Sequence, residues 1–433
     1  MVVIQKPVFE GRYKSKFEND YKQYMHVSLL GLLYECYEPL QVREHYELIG
    51  KKVQFEKLSI YSSANDLKAT QTAVDWVMAV ESGRIVARDI GFSDPERMAP
   101  LRCAEYIQQA FKNIPNVKVT VIREHDVLKK EFPLLHAVAR CSLAIPDHYP
   151  CVVRLEYNSP DQSKVKENLF FVGKGVTYDT GGADIKFDGH MRGMSRDKCG
   201  AAMVAGFLKT VGLLKPEGLN VVADLGFVRN SSGAGNYVSD EIIKSRAGAR
   251  CLIGNTDAEG RMLMIDLLCL AKERAISPFY SSIPSRLFTV CTLTGHAVLT
   301  VGVGYTISLD NGPAKFDNVS SSLAASGNQF GDPWEQSTYR REDLEVVKGL
   351  TTSEDVYQAN NKASSQTPRG HMFPAAFLIL ASGLDKHGMD SEFPISFTHV
   401  DMAASGEEDA KGFGIGRPTG SPIVAFSAHY LQN

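Results

Sequence analysis

No apolar run in this sequence approaches the ~20 residues that a helix needs to cross a bilayer. The opening stretch "MVVIQKPVFEGRYKSKFEND" has no secretory h-region. Charge of one sign is lacking too: 47 Lys and Arg against 50 Asp and Glu leave a formal net charge of −3, so no global attraction to nucleic acid or anionic lipid is built in. The eight cysteines form no C-x-x-C pair and no short disulfide framework. Several sit in apolar runs, the setting of reduced, buried thiols. Internal repeats and low-complexity tracts are absent. The expectation is a soluble, cytoplasmic protein with no membrane or nucleic-acid partner.

What is present is globular material. Hydrophobic residues make up 44% and charged residues 22% of a 433-residue chain, enough for a substantial core and for two or three domains. Residues 1–65 are tyrosine-rich and mixed: "MHVSLLGLLYECYEPL" suits a helix and "KKVQFEKLSIYSS" alternates like a strand. A long amphipathic helix follows, with Ser63 or Asn65 as its N-cap and residues 66–89 as a connector. From residue 90 to 433 the pattern alternates. "VKVTVI", "NLFFVGKGVTYDT", "LNVVADLGFV", "RLFTVCTLTG" and "PISFTHVDMAA" are strands. "ERMAPLRCAEYIQQAFKNI", "CGAAMVAGFLKTVGLL", "GRMLMIDLLCLAKERA" and "GHMFPAAFLILASGL" are helices. This alternation predicts an α/β domain whose mixed, largely parallel sheet is flanked by helices, preceded by a short N-terminal α/β region. In such sheets the site lies at the carboxyl ends of the strands.

Polar clusters fall at those ends. In "VGKGVTYDTGGADIK" a strand carries Lys174 and Asp179, then a Gly-Gly pair and Lys186; alone it reads as an ordinary glycine-rich turn. In "MSRDKCGAA" Asp197 precedes a helix, where an acid is favoured by the dipole in any case. The most specific cluster is "NTDAEGRMLMID", where Asp257, Glu259 and Arg261 alternate, so that an extended backbone would direct all three to one side. A Glu259–Arg261 salt bridge accounts for two of these charges but not for Asp257. Together, three strand ends supply Asp179, Asp197, Asp257 and Glu259. Four converging carboxylates without cations would repel and raise one another's pKa. Two divalent cations, bridged by carboxylates roughly 3.5–4 Å apart, would resolve this and supply a metal-bridging water as a nucleophile near neutral pH. Oxygen-rich ligation without Cys or His suits zinc, manganese or magnesium.

These same stretches, in this order and at these spacings, resemble the leucyl (cytosol) aminopeptidase family, the M17 metallopeptidases, from about residue 90 to the C-terminus. The "HVDMAA…GFG" segment is closer to an animal branch called probable aminopeptidase-like 1. The resemblance implies that Lys174, Asp179, Asp197 and Glu259 hold a tighter metal and Asp179, Asp257 and Glu259 an exchangeable one. It implies that Lys186 polarises the scissile carbonyl, and that Arg261 holds a bicarbonate that shuttles protons. Met194, Thr292 and Gly295 would line the side-chain pocket, and the Leu293 carbonyl would face the peptide. Core packing is the equal alternative for Met194. The implied assembly is a hexamer and the implied reaction is release of an N-terminal residue. Lys174 can ligate only as a neutral amine.

Departures are visible. The N-terminal region is shorter than the family's usual domain, "LGFVRNSSGAG" replaces an expected loop, and Glu407, Glu408 and Asp409 fall where the pocket floor should be. Acids there would admit basic or polar side chains, unless they simply face solvent. A catalytically weak scaffold on the same fold is the rival reading; loss of a ligand, Lys186 or Arg261 would favour it, and none is lost.

Overall fold

The computed structural model describes residues 4, 7–51, 58–62, 66–187, 189–408 and 417–432. Eleven strands position the site: β1 Val117–Ile122, β2 Cys151–Tyr157, β3 Glu167–Asp179, β4 Leu219–Asn230, β5 Ile242–Lys244, β6 Arg250–Leu252, β7 Ser285–Cys291, β8 Thr306–Asp310, β9 Trp334–Ser337, β10 Val356–Tyr357 and β11 Ser396–Asp401. Eight of them make one sheet in the order β1-β2-β4-β3-β7-β11-β8-β9. Its four central strands, β4-β3-β7-β11, run parallel, while β2 and β8 join antiparallel on either side. The mixed, largely parallel sheet expected from the alternating pattern is thus present. The strands β10, β6 and β5 form a second, small sheet.

The near-continuous apolar run of β3 follows from its place at the sheet centre, where both faces are covered. The first ten α-helices among the described residues are α1 Lys14–Asp20, α2 Tyr24–Glu35, α3 Leu40–Leu48, α4 Leu67–Phe92, α5 Pro100–Phe111, α6 His125–Glu131, α7 Pro133–Ala139, α8 Cys199–Leu214, α9 Glu259–Ala275 and α10 Gly295–Val301. On one face of the sheet α8 packs with α4 and a C-terminal helix, Ile423–Tyr430, around Phe171, Phe207, Phe288 and Phe426. On the other face α9 packs with α7 and the helix Met372–Ser382 around Phe170, Leu263, Leu267 and Phe377. Side chains of β3 alternate between these layers. Gly173 lies so close to α8 that a Cβ there would come within 2.6 Å of Ala201 Cα, and Lys174 points the other way, toward α9.

The residue 66–89 stretch is the larger part of α4, which continues to Phe92 and lies against α8 through Gly83 and Gly206. Within it Glu81 pairs with both Arg84 and Arg88 in a buried cluster, and Arg84 also donates to the Leu30 carbonyl of α2. Ser63 and Asn65 lie outside the described residues, as does most of "KKVQFEKLSIYSS"; Leu58–Ser62 are not in a strand. Among the described residues the N-terminal region is helical, so its expected strand has no counterpart there.

Candidate metal centre

The centre is built from the end of β3, the approach to α8 and the first turn of α9. Lys174 reaches α9 because residue 260 is a glycine: a Cβ there would sit 2.4 Å from Lys174 Cε and 2.7 Å from a Leu293 methyl. The Lys174 Nζ lies 2.7 Å from Asp197 Oδ1 and 2.9 Å from Glu259 Oε1, and it donates to the Thr292 carbonyl at 3.1 Å. Asp197 follows a single 3-10 turn, Met194–Arg196, and lies two residues before α8. Its Oδ1 also accepts from Thr292 Oγ1 at 2.9 Å.

Beyond β3 the chain doubles back. The β3–β4 register slips between Val176 and Asp179, an irregularity of the kind that re-aims a side chain beside a site. Gly181 and Gly182 then adopt φ +91° and +71°, a backbone that L side chains rarely take. The turn returns Lys186 to the strand end, with its Nζ 2.8 Å from Asp179 Oδ2 and 2.5 Å from Asp257 Oδ1. One oxygen each of Asp179, Asp257 and Glu259 lies within 4.8 Å of the others. Asp197 joins this trio through Lys174.

The alternating reading of Asp257, Glu259 and Arg261 is corrected by this geometry. Glu259 is the first residue of α9 and Arg261 lies inside its first turn, so the three converge through a turn and a helix start. The idea of three contributing strand ends is corrected likewise: only Asp179 ends a strand, and the other carboxylates sit just before or at helix N-termini. A residue that sequence reading missed is Asn230, at the end of β4 and inside the stretch that departs from the family. Its Nδ2 donates to Asp179 Oδ1 at 2.7 Å and to the Thr256 carbonyl at 3.1 Å. Its place at a strand end beside Asp179 is the signal that could have found it.

Lys174, Asp179 and Glu259 are each no more than 3% exposed. Burial raises the pKa of Asp179, with Glu259 adding to the rise. Burial, with the charges of Glu259 and Asp179 adding to it, drives Asp197 well above the ordinary carboxylate range despite Lys174, and burial followed by Asp179 lifts Asp257 to about 7. Glu259 is lowered, because Lys174 and Lys186 outweigh its burial. For Lys174 and Lys186 burial opposes charge, but the surrounding carboxylates outweigh it and raise both. The lysines thus stand as counter-ions to four carboxylates. Even so, among the described residues Asp197 Oδ2 and Glu259 Oε2 are buried without a hydrogen-bond partner. Buried, unpaired anionic oxygens are costly, and a cation placed between them would remove that cost. The donor set therefore fits divalent ions.

Arg261 is buried, donates from Nη1 to the Gln358 carbonyl at 3.0 Å and stacks over Phe373 at 5.5 Å. Burial lowers its pKa to about 10, and its Nε has no partner among the described residues. Thr292 and Leu293 follow β7, and Asp401 holds their loop: it accepts from Leu293 N at 3.1 Å and from Thr294 Oγ1 at 2.7 Å. Gly295 opens α10 and is exposed, whereas Met194 is half-buried in the turn before Asp197. The acids expected on a pocket floor face arginines: Glu407 lies 3.3 Å from Arg196 Nε and Glu408 lies 2.8 Å from Arg417 Nε. Asp409 is outside the described residues.

Residues 85–426 match the model of the cytosol aminopeptidase family, catalytic domain. The chain is 44% identical over 388 residues to a protein of Caenorhabditis elegans named "Putative aminopeptidase", covering 89% of this chain and 72% of that one. It is 26% identical to the "Probable cytosol aminopeptidase" of Chlamydia felis, of which it spans 63%. Among solved structures the fold resembles the bottromycin maturation enzyme BotP in complex with Mn, with TM-score 0.75, 20% identity and coverage of 94% of this chain and 79% of that one. It also resembles leucyl aminopeptidase from Trypanosoma brucei in complex with actinonin, with TM-score 0.70, 21% identity and coverage of 83% and 63%. On the extent of the family match and the C. elegans identity, this chain belongs to the cytosol aminopeptidase family and is a cytosol-aminopeptidase-like peptidase.

Proposed function

We propose that this chain releases the N-terminal residue of peptides with two divalent ions, zinc or manganese, with magnesium as a further candidate. Lys174, Asp179, Asp197 and Glu259 would hold the tighter ion, and Asp179, Asp257 and Glu259 the exchangeable one. The observation that carries this reading is the convergence of four carboxylates and two lysines with two buried carboxylate oxygens unpaired. When bound, the ions would supply an activated water as nucleophile near neutral pH and a coordination position for the free α-amine of the substrate. Lys174 must give up its proton to ligate, so loading the tighter ion releases a proton.

Lys186 holds a charge at the rim of the carboxylate cluster, which suits it to stabilise a developing oxyanion. Arg261 presents a buried Nε with no partner among the described residues, which suits a planar oxyanion such as bicarbonate bound by the guanidinium fork. Arg261 would thereby hold a proton carrier between the attacking water and the leaving amine. Met194, Thr292 and Gly295 would line the pocket for the first side chain, and the Leu293 carbonyl would face the peptide. With Glu407 and Glu408 facing arginines, the case for an acidic floor weakens and an apolar first residue is favoured. A cytoplasmic hexamer, with residues 1–65 as a reduced N-terminal domain and 90–433 as the catalytic domain, completes the proposal. The eight free thiols support the location, and no described helix is long and apolar enough to cross a membrane.

The test is an aminoacyl-chromophore series on purified protein, with zinc and manganese content measured in the same sample. Turnover requires bound metal. No turnover of any aminoacyl substrate by metal-loaded protein would favour the scaffold instead. Lys186→Ala should lower kcat by about 10²–10³, the cost of losing one oxyanion donor, and change KM far less. An unchanged kcat removes Lys186 from the mechanism.

A further inference from the structure

The loop between β6 and α9 carries Asp257 and presents Glu259, yet it belongs to neither element, so its backbone groups must be satisfied from elsewhere. Much of that satisfaction comes from one side chain. Gln358 is fully buried and follows β10, which pairs parallel with β6. This register continues as Gln358 N donates to the Leu252 carbonyl at 2.9 Å, which brings residue 358 alongside the loop. Its Oε1 accepts from Gly254 N and Asn255 N, both at 3.1 Å. Its Nε2 donates to the carbonyls of Asn255 and Ala258, both at 2.9 Å. All four hydrogen-bonding positions of the amide are filled, and all four partners are backbone atoms of residues 254–258. The main-chain carbonyl of the same residue accepts from Arg261 Nη1 at 3.0 Å. The approach is close enough that a Cβ on Gly254 would fall 1.8 Å from the Ala359 carbonyl.

We infer that Gln358 is a positioning residue of the metal centre: its side-chain amide fixes the backbone that aims Asp257 and Glu259, and its carbonyl fixes Arg261 beside them. This rests on the two-metal reading of the site. Neither end of the residue touches a carboxylate, so its effect is transmitted through the loop backbone. A site needs its first contacts held to within about 0.5 Å by a supporting shell, and a side chain saturated at four points supplies that.

The fixed geometry has a direct consequence for metal binding. Asp257 would serve only the exchangeable ion, whereas Glu259 serves both and is also held by the helix start and by Lys174. Freeing the loop should therefore weaken the exchangeable ion more than the tighter one. The test uses Gln358→Leu, which removes all four contacts, and Gln358→Asn, which keeps the amide but withdraws it by one methylene. Manganese binding to metal-free protein is followed by calorimetry, alongside the melting temperature and the kcat and KM of loaded enzyme. The expected result is at least a tenfold loss of affinity for the exchangeable ion, a smaller loss for the tighter one, and a kcat that falls more than KM rises. Combined with Asp257→Asn, the loss should be less than additive, since both act on one ligand.

A role confined to holding the fold would lower the melting temperature and leave both affinities and kcat at parental values in the folded variants, and that result overturns the inference. If neither variant folds, amide hydrogen exchange in the unsubstituted, metal-free chain decides. The peptide covering residues 253–258 should exchange as slowly as those covering α9, and exchange at the rate of exposed loops overturns the inference. Failure of the unsubstituted protein to bind manganese or turn over any substrate would count against the metal reading itself, not against the role of Gln358 within it.

Discussion

Replacing Lys174 by Met tests the electrostatic design of the centre without any metal. Lys174 is 3% exposed, and its ammonium lies 2.7 Å and 2.9 Å from two buried carboxylates. Met has similar length and no charge, so the change leaves Asp197 and Glu259 without their nearest cation. Breaking a buried ion pair by removing one partner costs about 3–5 kcal/mol. Unfolding entropy of ~2.1 cal/mol/K per residue over 433 residues is about 0.9 kcal/mol/K. The expected fall in melting temperature of metal-free protein is therefore about 3–6 °C by calorimetry in chelator at pH 8. The loss should shrink as pH falls. Burial already raises the pKa of Asp197, and removing Lys174 raises it further. A carboxyl whose folded pKa lies above its unfolded value contributes stability that is full below the unfolded value and is lost as pH rises through the folded one. At pH 5 the variant should accordingly melt closer to the parent than at pH 8. A variant that melts at or above the parent temperature at pH 8 would refute the argument, since it would mean that the carboxylates do not depend on Lys174 for their charge.

Gly260→Ala should displace Lys174, whose Cε and Nζ would lie 2.4 Å and 2.6 Å from the new Cβ; the tighter ion should be lost first, as read by metal analysis after dialysis, and retention of both ions would contradict the packing argument. Asp266 offers a pH test away from the centre. It accepts from Leu134 N at 2.7 Å and Arg246 N at 2.8 Å, and burial lifts its pKa to about 7. Stability should then decline from this group as pH rises from about 4 to about 7, and Asp266→Asn, which cannot titrate, should show a flatter melting profile over that range; identical profiles would exclude the effect.

Much of the framework was legible because local pattern and burial agree. "VKVTVI" is β1 and "CGAAMVAGFLKTVGLL" is α8, residue for residue. The apolar run of β3 signals a central parallel strand because both its faces are covered. Elements without such a signal went unread: β2, whose "CVVRLEY" pairs antiparallel with β4, the short β8 and β9, and the one- to two-turn helices α6 and α7. Their placement depends on partners far along the chain. The same limit explains Glu407 and Glu408, whose arginine partners are Arg196 and Arg417; adjacent charges carry no information about what folds opposite them.

The sequence by itself determined the cast of the centre. Its lysines, carboxylates and Arg261 stand in short motifs beside glycines, because close backbone approach and positive φ restrict residue type locally. Tertiary structure alone decided how they meet: that Asp257, Glu259 and Arg261 converge through a helix start instead of an extended strand, that Asn230 braces Asp179, and that Gln358 supports a loop about a hundred positions earlier in the chain. Hydrogen bonds are satisfied by whatever donor or acceptor the sheet order brings within 3 Å or so, and that order is set by the packing of the whole domain.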